Sequence, residues 1–219
     1  IQSIKHRKVK NFRNQNYIIP KYDKKILINE ANLFCDWYAK NNLSKLRKKR
    51  FCKNFKKIIK ELTLKLKLKD NIFVHRDFHV SNLMSVKNQI GLIDSQDALI
   101  GNKAYDLASL IDDVRLKTSY SFKEKIFKFY IKKQKNLDIK KFKNDFEILS
   151  VLRNLKIIGI FTRLALRDKK RSYLKLKKQK FKNDFEILSI LRNLKIIGIF
   201  TRLAMRDRKK KYLKLIPHA

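Results

Sequence analysis

Glycine and proline are scarce in this 219-residue chain, with four and two residues respectively. No glycine precedes Gly91, so the first ninety residues hold no glycine-rich turn of the kind that cradles phosphates through backbone N–H groups. Cysteine is equally sparse. Cys35 and Cys52 form no C-x-x-C pair and have no histidine at metal-ligand spacing, which excludes a zinc site and a disulfide framework and fits a reducing cytoplasm. Long apolar runs are missing too. The longest, Ile157 to Phe161, is far short of the ~18 residues a membrane span needs. Acidic residues are few, 19 against 56 Lys and Arg, for a formal charge of +37. That excess is spread from Lys5 to Lys214 in a chain rich in Lys, Ile, Asn and Phe, as AT-rich codons would produce. Neither a specific nucleic-acid partner nor a membrane is expected, although a basic surface steers anionic small molecules at low salt.

Against this background residues 75–97 stand out. They read HRDFHVSNLM, a short polar turn, then IGLIDSQD. His75, Arg76, Asp77 and Asn82 fit H-R-D-x-x-x-x-N, in which the Asp accepts the proton of an attacking hydroxyl and the Asn holds Mg²⁺. Asp94 follows the apolar run Ile90–Ile93, twelve positions after Asn82, where a hairpin would return a second metal-binding carboxylate. The residue types suit phosphoryl transfer, which is mostly positioning and charge neutralisation. Mg²⁺ keeps several waters, so one Asp and one Asn suffice beside the phosphates.

The segment VHRDFHVSNLMSVKNQIGLIDSQDALIGNKAYDLASLIDDVR resembles the aminoglycoside phosphotransferase/choline kinase family, and within it the bacterial branch of anomeric amino-sugar kinases. Tyr22-Asp23, Glu30, LFCDWY and RNLKIIGIFTRL look like that branch as well. The resemblance implies ATP and Mg²⁺ as cofactors, with a small-molecule hydroxyl, a sugar or amino sugar of cell-wall recycling, as acceptor. It makes Asp77 the catalytic base and Asn82 and Asp94 the metal ligands. His75 and Arg76 would support the loop, and Asp106 would tie a following helix back to it. His79, Gln96 and Asp97 could face the acceptor, although structural or surface-capping roles suit them equally. Kinases of this type also have a smaller lobe with a phosphate-covering turn and a strand lysine. Residues 1–20 are too few for it, so the chain is expected to be a lower lobe, left by truncation or degeneration.

The expected fold class is therefore α+β: the mainly helical C-terminal lobe of a protein-kinase-like phosphotransferase with a small metal-site hairpin. Residues 1–20 are basic and aperiodic, a linker remnant. The lobe spans 21–140. Apolar spacing predicts helices over Ile26–Tyr38, capped by Asp23, and over Phe51–Leu62, with the latter's Phe51, Phe55, Ile58, Ile59 and Leu62 inward. Thr63–Lys69 either ends that helix or runs extended. Asn71–Val74 is a strand, Leu83–Val86 and Ile90–Ile93 a hairpin, and Gly101 a break before a helix over Tyr105–Val114. Phe122, Ile126, Phe129 and Tyr130 start another helix, with its aromatic stripe expected in the core.

Residues 141–176 recur at 180–215, with five differences in 36 aligned positions. Each copy reads as one amphipathic helix. In the first, Phe146, Leu149, Leu152, Ile157, Ile160, Phe161 and Leu164 form the stripe, with Lys156, Arg163 and Arg167 toward solvent. One groove takes one copy, and the first is expected to fill it. The other would be surplus and open to self-association. The rival reading of the whole chain is an inactive remnant or an interaction module.

Overall fold

The computed structural model describes residues 7–173, together with 2 and 4, apart from 88, 114 and 117. The second repeat copy at 180–215, its expected self-association and the inward placing of Val114 lie outside the described residues.

Asp23 caps helix α1 (Lys24–Leu33), its carboxylate accepting from the Ile26 N–H at 2.9 Å. The helix runs on through a wide π-helical turn, Phe34–Ala39, into the short α2 (Lys40–Asn42). Helix α3 (Lys45–Leu64) packs back on it, with Phe34 stacked on Phe55 at 5.5 Å and close to Phe51. Ile59 and Thr63 are buried, but Ile58 is 54 % exposed, contrary to expectation, because adjacent helical residues point ~100° apart and only one can lie on the buried stripe. Residues beyond Leu64 leave the helix. The N–H groups of Lys67 and Leu68 donate to the fully buried Asp145 carboxylate at 2.8–3.1 Å, and the Asn102 amide joins them at 2.7 Å.

Strand β3 (Asp70–Val74) then pairs antiparallel with β6 (Leu99–Asn102), Val74 opposite Leu99 and Phe73 opposite Ile100. Gly101 thus lies within a strand rather than breaking the chain. A Cβ there would sit 2.9 Å from the Tyr22 Cβ, so glycine is what lets Tyr22 lie against the strand. Tyr22 N–H donates to the Ile100 carbonyl and Ile100 N–H to that of Pro20, so the entry to α1 runs beside β6. Strands β4 (Leu83–Val86) and β5 (Gln89–Leu92) form the expected hairpin, with Leu83 opposite Leu92.

The reading of 1–20 as a linker remnant needs correction. Strands β1 (Lys8–Lys10) and β2 (Asn16–Ile18) form an exposed antiparallel hairpin. The Asn11 side chain accepts from the N–H groups of Arg13 and Gln15, and Asn14 takes a left-handed φ of 61°. Asparagine serves both roles readily, so the turn signal was in the sequence although the strands are too short to show alternation.

Helix α4 (Ala104–Ile111) is buried along nearly its whole length, with Leu107 and Ile111 in the core, Leu110 half-buried and Tyr105 edge-on to Tyr22. Helix α5 (Tyr120–Lys133) starts at Ser119 and turns Ile126, Phe127, Tyr130 and Ile131 to the core. Phe129, expected inward, is 65 % exposed, and Phe122 is exposed as well; Phe127 takes the place by stacking near Phe142 and Phe146.

Helix α6 (Ile139–Leu166) is the first repeat copy. It packs against α1 and α4 and buries Leu149, Leu152, Ile157 and Phe161 of the predicted stripe, leaves Phe146, Ile160 and Leu164 half-buried, and adds Phe142. Gly159 faces Leu33 so closely that a Cβ would meet its backbone at 2.5–2.6 Å. Among the described residues no helix is long and apolar enough to cross a membrane. The architecture is mainly helical α+β, as expected, with two-stranded ladders grouped around the segment 75–97.

Candidate active site

His75 follows the last residue of β3 and is fully buried. Its Nε2 lies 3.0 Å from the Ile93 carbonyl, an acceptor only, so Nε2 carries the proton. The imidazole thereby fastens the end of β3 to the end of the hairpin, one residue before Asp94. Arg76 has a φ of 72°, a strained conformation for a residue with a side chain. Asp106, on α4, holds it there: its carboxylate accepts from the N–H groups of His75 at 2.8 Å and Arg76 at 3.0 Å.

Burial pushes the Asp106 carboxyl up to about 6, against the pull of those two N–H bonds. A folded value raised above the ordinary 3.8 means that its contribution to stability is full below the ordinary value and is lost as pH rises through about 6. Two units correspond to at most about 3 kcal/mol. Asp106→Asn should remove this component while costing about 1–3 kcal/mol for the N–H that then meets an amide NH₂. Urea unfolding of both proteins at pH 4.5 and pH 7 checks it. The wild-type advantage should be larger at the acid end.

Beyond Arg76 the loop closes on itself. The Asp77 carbonyl accepts from the His79 N–H and from Asn82 Nδ2, both at 3.0 Å, and the Asn82 N–H donates to the His79 carbonyl. Asn82 therefore turns its NH₂ inward, and its Oδ1 makes no hydrogen bond among the described residues. The Asp77 carboxylate is half-buried and unpaired among them. Ile93 N–H donates to the Asn82 carbonyl at 3.1 Å, which extends the hairpin register by one pair and brings the Asp94 backbone alongside Asn82. Asp94 is exposed and left-handed, with φ 64°. Among the described residues no three His, Cys, Asp or Glu side chains cluster as a metal site. The Asp94 carboxylate and the Asn82 amide oxygen are hard oxygens, a donor type that would suit Mg²⁺ completing its shell with water and phosphate. Gln96 and Asp97 lie exposed in a short 3₁₀ turn, Ser95–Asp97.

The Arg76 side chain leaves this cluster. It donates to the Asp97 carbonyl at 3.1 Å, packs over the Tyr22 ring and forms an ion pair with Glu30 on α1. Glu30 also accepts from the Tyr22 hydroxyl and pairs with Lys156 at 3.0 Å. Lys156, expected in solvent, is a correction: its side chain is 12 % exposed. Helical periodicity on α6 could not show that a carboxylate on α1 would face it. Glu30 sits in one of the phrases that resemble the family, yet nothing in its spacing marks it as the joint between α1, α6 and the loop.

On the other flank, Val80 N–H donates to Asp113 at 3.1 Å, and Asp113 also accepts from the backbone and guanidinium of Arg115. Arg153, buried on α6, donates to Ser109 Oγ and to the Asp112 carbonyl. His79 is half-buried with no partner for Nδ1, and burial, then Arg115, lower its pKa, keeping the ring neutral. Sequence reasoning passed over Asp113, Arg115 and Arg153; an acidic pair at a helix end carries no spacing signature. Burial, with Cys52 alongside, pushes the Cys35 thiol up to about 12, which rules it out as a nucleophile.

An H-R-D loop tied to a helix carboxylate and facing a hairpin that ends in Asp is the framework of a kinase-type phosphotransferase. Residues 15–137 match the phosphotransferase enzyme family, and the chain belongs to that family. It is 32% identical over 162 residues to an N-acetylmuramate/N-acetylglucosamine kinase of Neisseria meningitidis serogroup B, covering 71% of this chain and 48% of that protein. A Pseudomonas aeruginosa protein of the same name is 32% identical over 163 residues, 72% of this chain and 48% of its own. One from Caulobacter vibrioides is 33% identical over 107 residues, 47% of this chain and 30% of its own. The chain spans about half the length of the first two.

Proposed function

We propose that this chain supplies the catalytic loop and metal ligands of an ATP-dependent kinase acting on a hydroxyl of an amino sugar. N-acetylmuramate and N-acetylglucosamine are the leading acceptors, in cytoplasmic recycling of cell-wall sugars. The observation that carries the reading is the closed loop: Asn82 spends its NH₂ on the Asp77 carbonyl, so the base and the amide oxygen are set by one turn.

In this reading the Asp77 carboxylate accepts the proton of the sugar hydroxyl as its oxygen bonds to the γ-phosphorus and the bond to the β-phosphate oxygen breaks, releasing ADP. Asn82 Oδ1 and Asp94 would hold Mg²⁺, whose role when bound is to neutralise charge on the phosphate oxygens. His75 and Asp106 position the loop and do not touch substrate. His79, neutral and two residues from the base, is a hydrogen-bonding partner for the acceptor, and Gln96 and Asp97 are placed to meet it from the exposed turn. Transfer of ³²P from γ-labelled ATP to each sugar tests the reading. Labelled sugar phosphate is the expected product, and label released only as inorganic phosphate would overturn it.

A second reading, a non-catalytic remnant or interaction module, is favoured by one fact: no glycine lies between residue 1 and the catalytic loop to form a phosphate-cradling turn. Nucleotide affinity separates the two. With no glycine-rich turn before the catalytic loop, the isolated chain should bind ATP·Mg²⁺ weakly. Calorimetry giving a micromolar Kd would exclude a remnant.

A further inference from the structure

Resting on the kinase reading above, we infer that Arg115 reads a carboxylate on the acceptor, so that the site takes an acidic sugar in preference to its neutral counterpart. Asp113 is the pivot. One of its oxygens holds Val80 N–H, three residues beyond Asp77, and the other holds Arg115 through both backbone and Nη1. The guanidinium is thus fastened to the catalytic loop itself. The two partners are exposed very differently: the Asp113 side chain is 1 % exposed and that of Arg115 is 35 %. Arg115 commits one guanidinium nitrogen to Asp113, while Nε and Nη2 have no partner among the described residues.

The neighbouring cations are already committed. Arg153 is buried and directed at Ser109 and the Asp112 carbonyl, and Arg76 is turned to Glu30 on the opposite flank. Phosphates must lie toward Asn82 and Asp94, so a hydroxyl reaching Asp77 comes from the His79 side. Arg115 is near enough to His79 to lower its pKa. A planar guanidinium with free donors binds a carboxylate in a two-pronged geometry that a hydroxyl cannot reproduce. N-acetylmuramate differs from N-acetylglucosamine by one lactyl ether, which carries such a group.

The test is titration of the chain with the two sugars, followed by NMR, for the wild type and for Arg115→Gln, Arg115→Lys and the remote surface control Lys53→Ala. The wild type should bind the acid about two- to fivefold more tightly than the neutral sugar, as one partly exposed charge pair allows. Arg115→Gln keeps a donor for Asp113 but no charge, and should bring that ratio to about one by weakening the acid alone. Arg115→Lys should keep part of the preference, and Lys53→Ala all of it. Binding of both sugars with a ratio unmoved by Arg115→Gln overturns the inference. So does equal weakening of both, which would make Arg115 structural, or an equal effect of Lys53→Ala, which would assign the preference to the general positive field. Failure of the wild type to bind either sugar overturns the acceptor assignment itself, and this inference with it.

Discussion

On the proposed reading, Asp77→Asn should lower kcat by about 10³-fold, while the dissociation constants for nucleotide and acceptor should stay within about twofold. The two effects separate because the residue acts through two different groups. Its backbone carbonyl is the knot of the loop, taking the His79 N–H and the Asn82 amide, and the substitution leaves that carbonyl in place. Its side chain makes no hydrogen bond to the described residues, so an isosteric amide costs the fold nothing. What is lost is proton acceptance from the attacking hydroxyl. Single-turnover transfer from labelled ATP, with binding measured separately, checks it. A parallel loss of nucleotide affinity would mean that the carboxylate serves the metal rather than the proton.

Glu30→Leu is expected to be the most damaging single change to stability, costing about 3–5 kcal/mol, because it strands charge in the interior. Arg76, Lys156 and Glu30 have side-chain exposures of 19 %, 12 % and 14 %, so solvent screens the arrangement little. One carboxylate serves two cations and the Tyr22 hydroxyl, and its removal leaves all three without their common partner. Adding Lys156→Met should recover part of the loss, since one stranded cation is then replaced by an apolar chain of similar length. Urea midpoints of the single and double variants measure this coupling. Glu30→Leu should also lower turnover, because Arg76 is joined to Asp77 in sequence and its left-handed backbone depends on being held.

What could be read in the sequence was what is local. The Asp23 cap and the strand Leu83–Val86 formed where the sequence placed them. The returning strand formed one residue earlier than read, at Gln89–Leu92, and the α6 stripe buried Leu149, Leu152, Ile157 and Phe161. The loop motif marked the segment in which the Asn82 amide closes on the Asp77 carbonyl and the hairpin returns to Asp94. Pairings across the chain were not legible. Nothing near Gly101 announces that it faces Ile72 on another strand, and nothing near Lys156 announces Glu30. Aromatic spacing misplaced Phe129, because on a helix with three phenylalanines and two tyrosines several stripes fit the same period. The β1–β2 hairpin escaped notice because three residues per strand are too few to show alternation.

The restraints on the catalytic loop span long stretches of chain: 31 residues from His75 to Asp106 and 46 from Arg76 to Glu30. Contacts of such separation close late in folding, since the entropy of each loop has to be lost before the contact rewards it. During synthesis, Asp77 leaves the ribosome roughly thirty residues ahead of Asp106, about 1.5–6 s at ordinary elongation rates. Until Asp106 follows, His75 and Arg76 lack the carboxylate that accepts from their N–H groups. The catalytic loop is therefore among the last parts of this fold to become ordered, and its amides should exchange through an opening of their own, below the free energy of global unfolding.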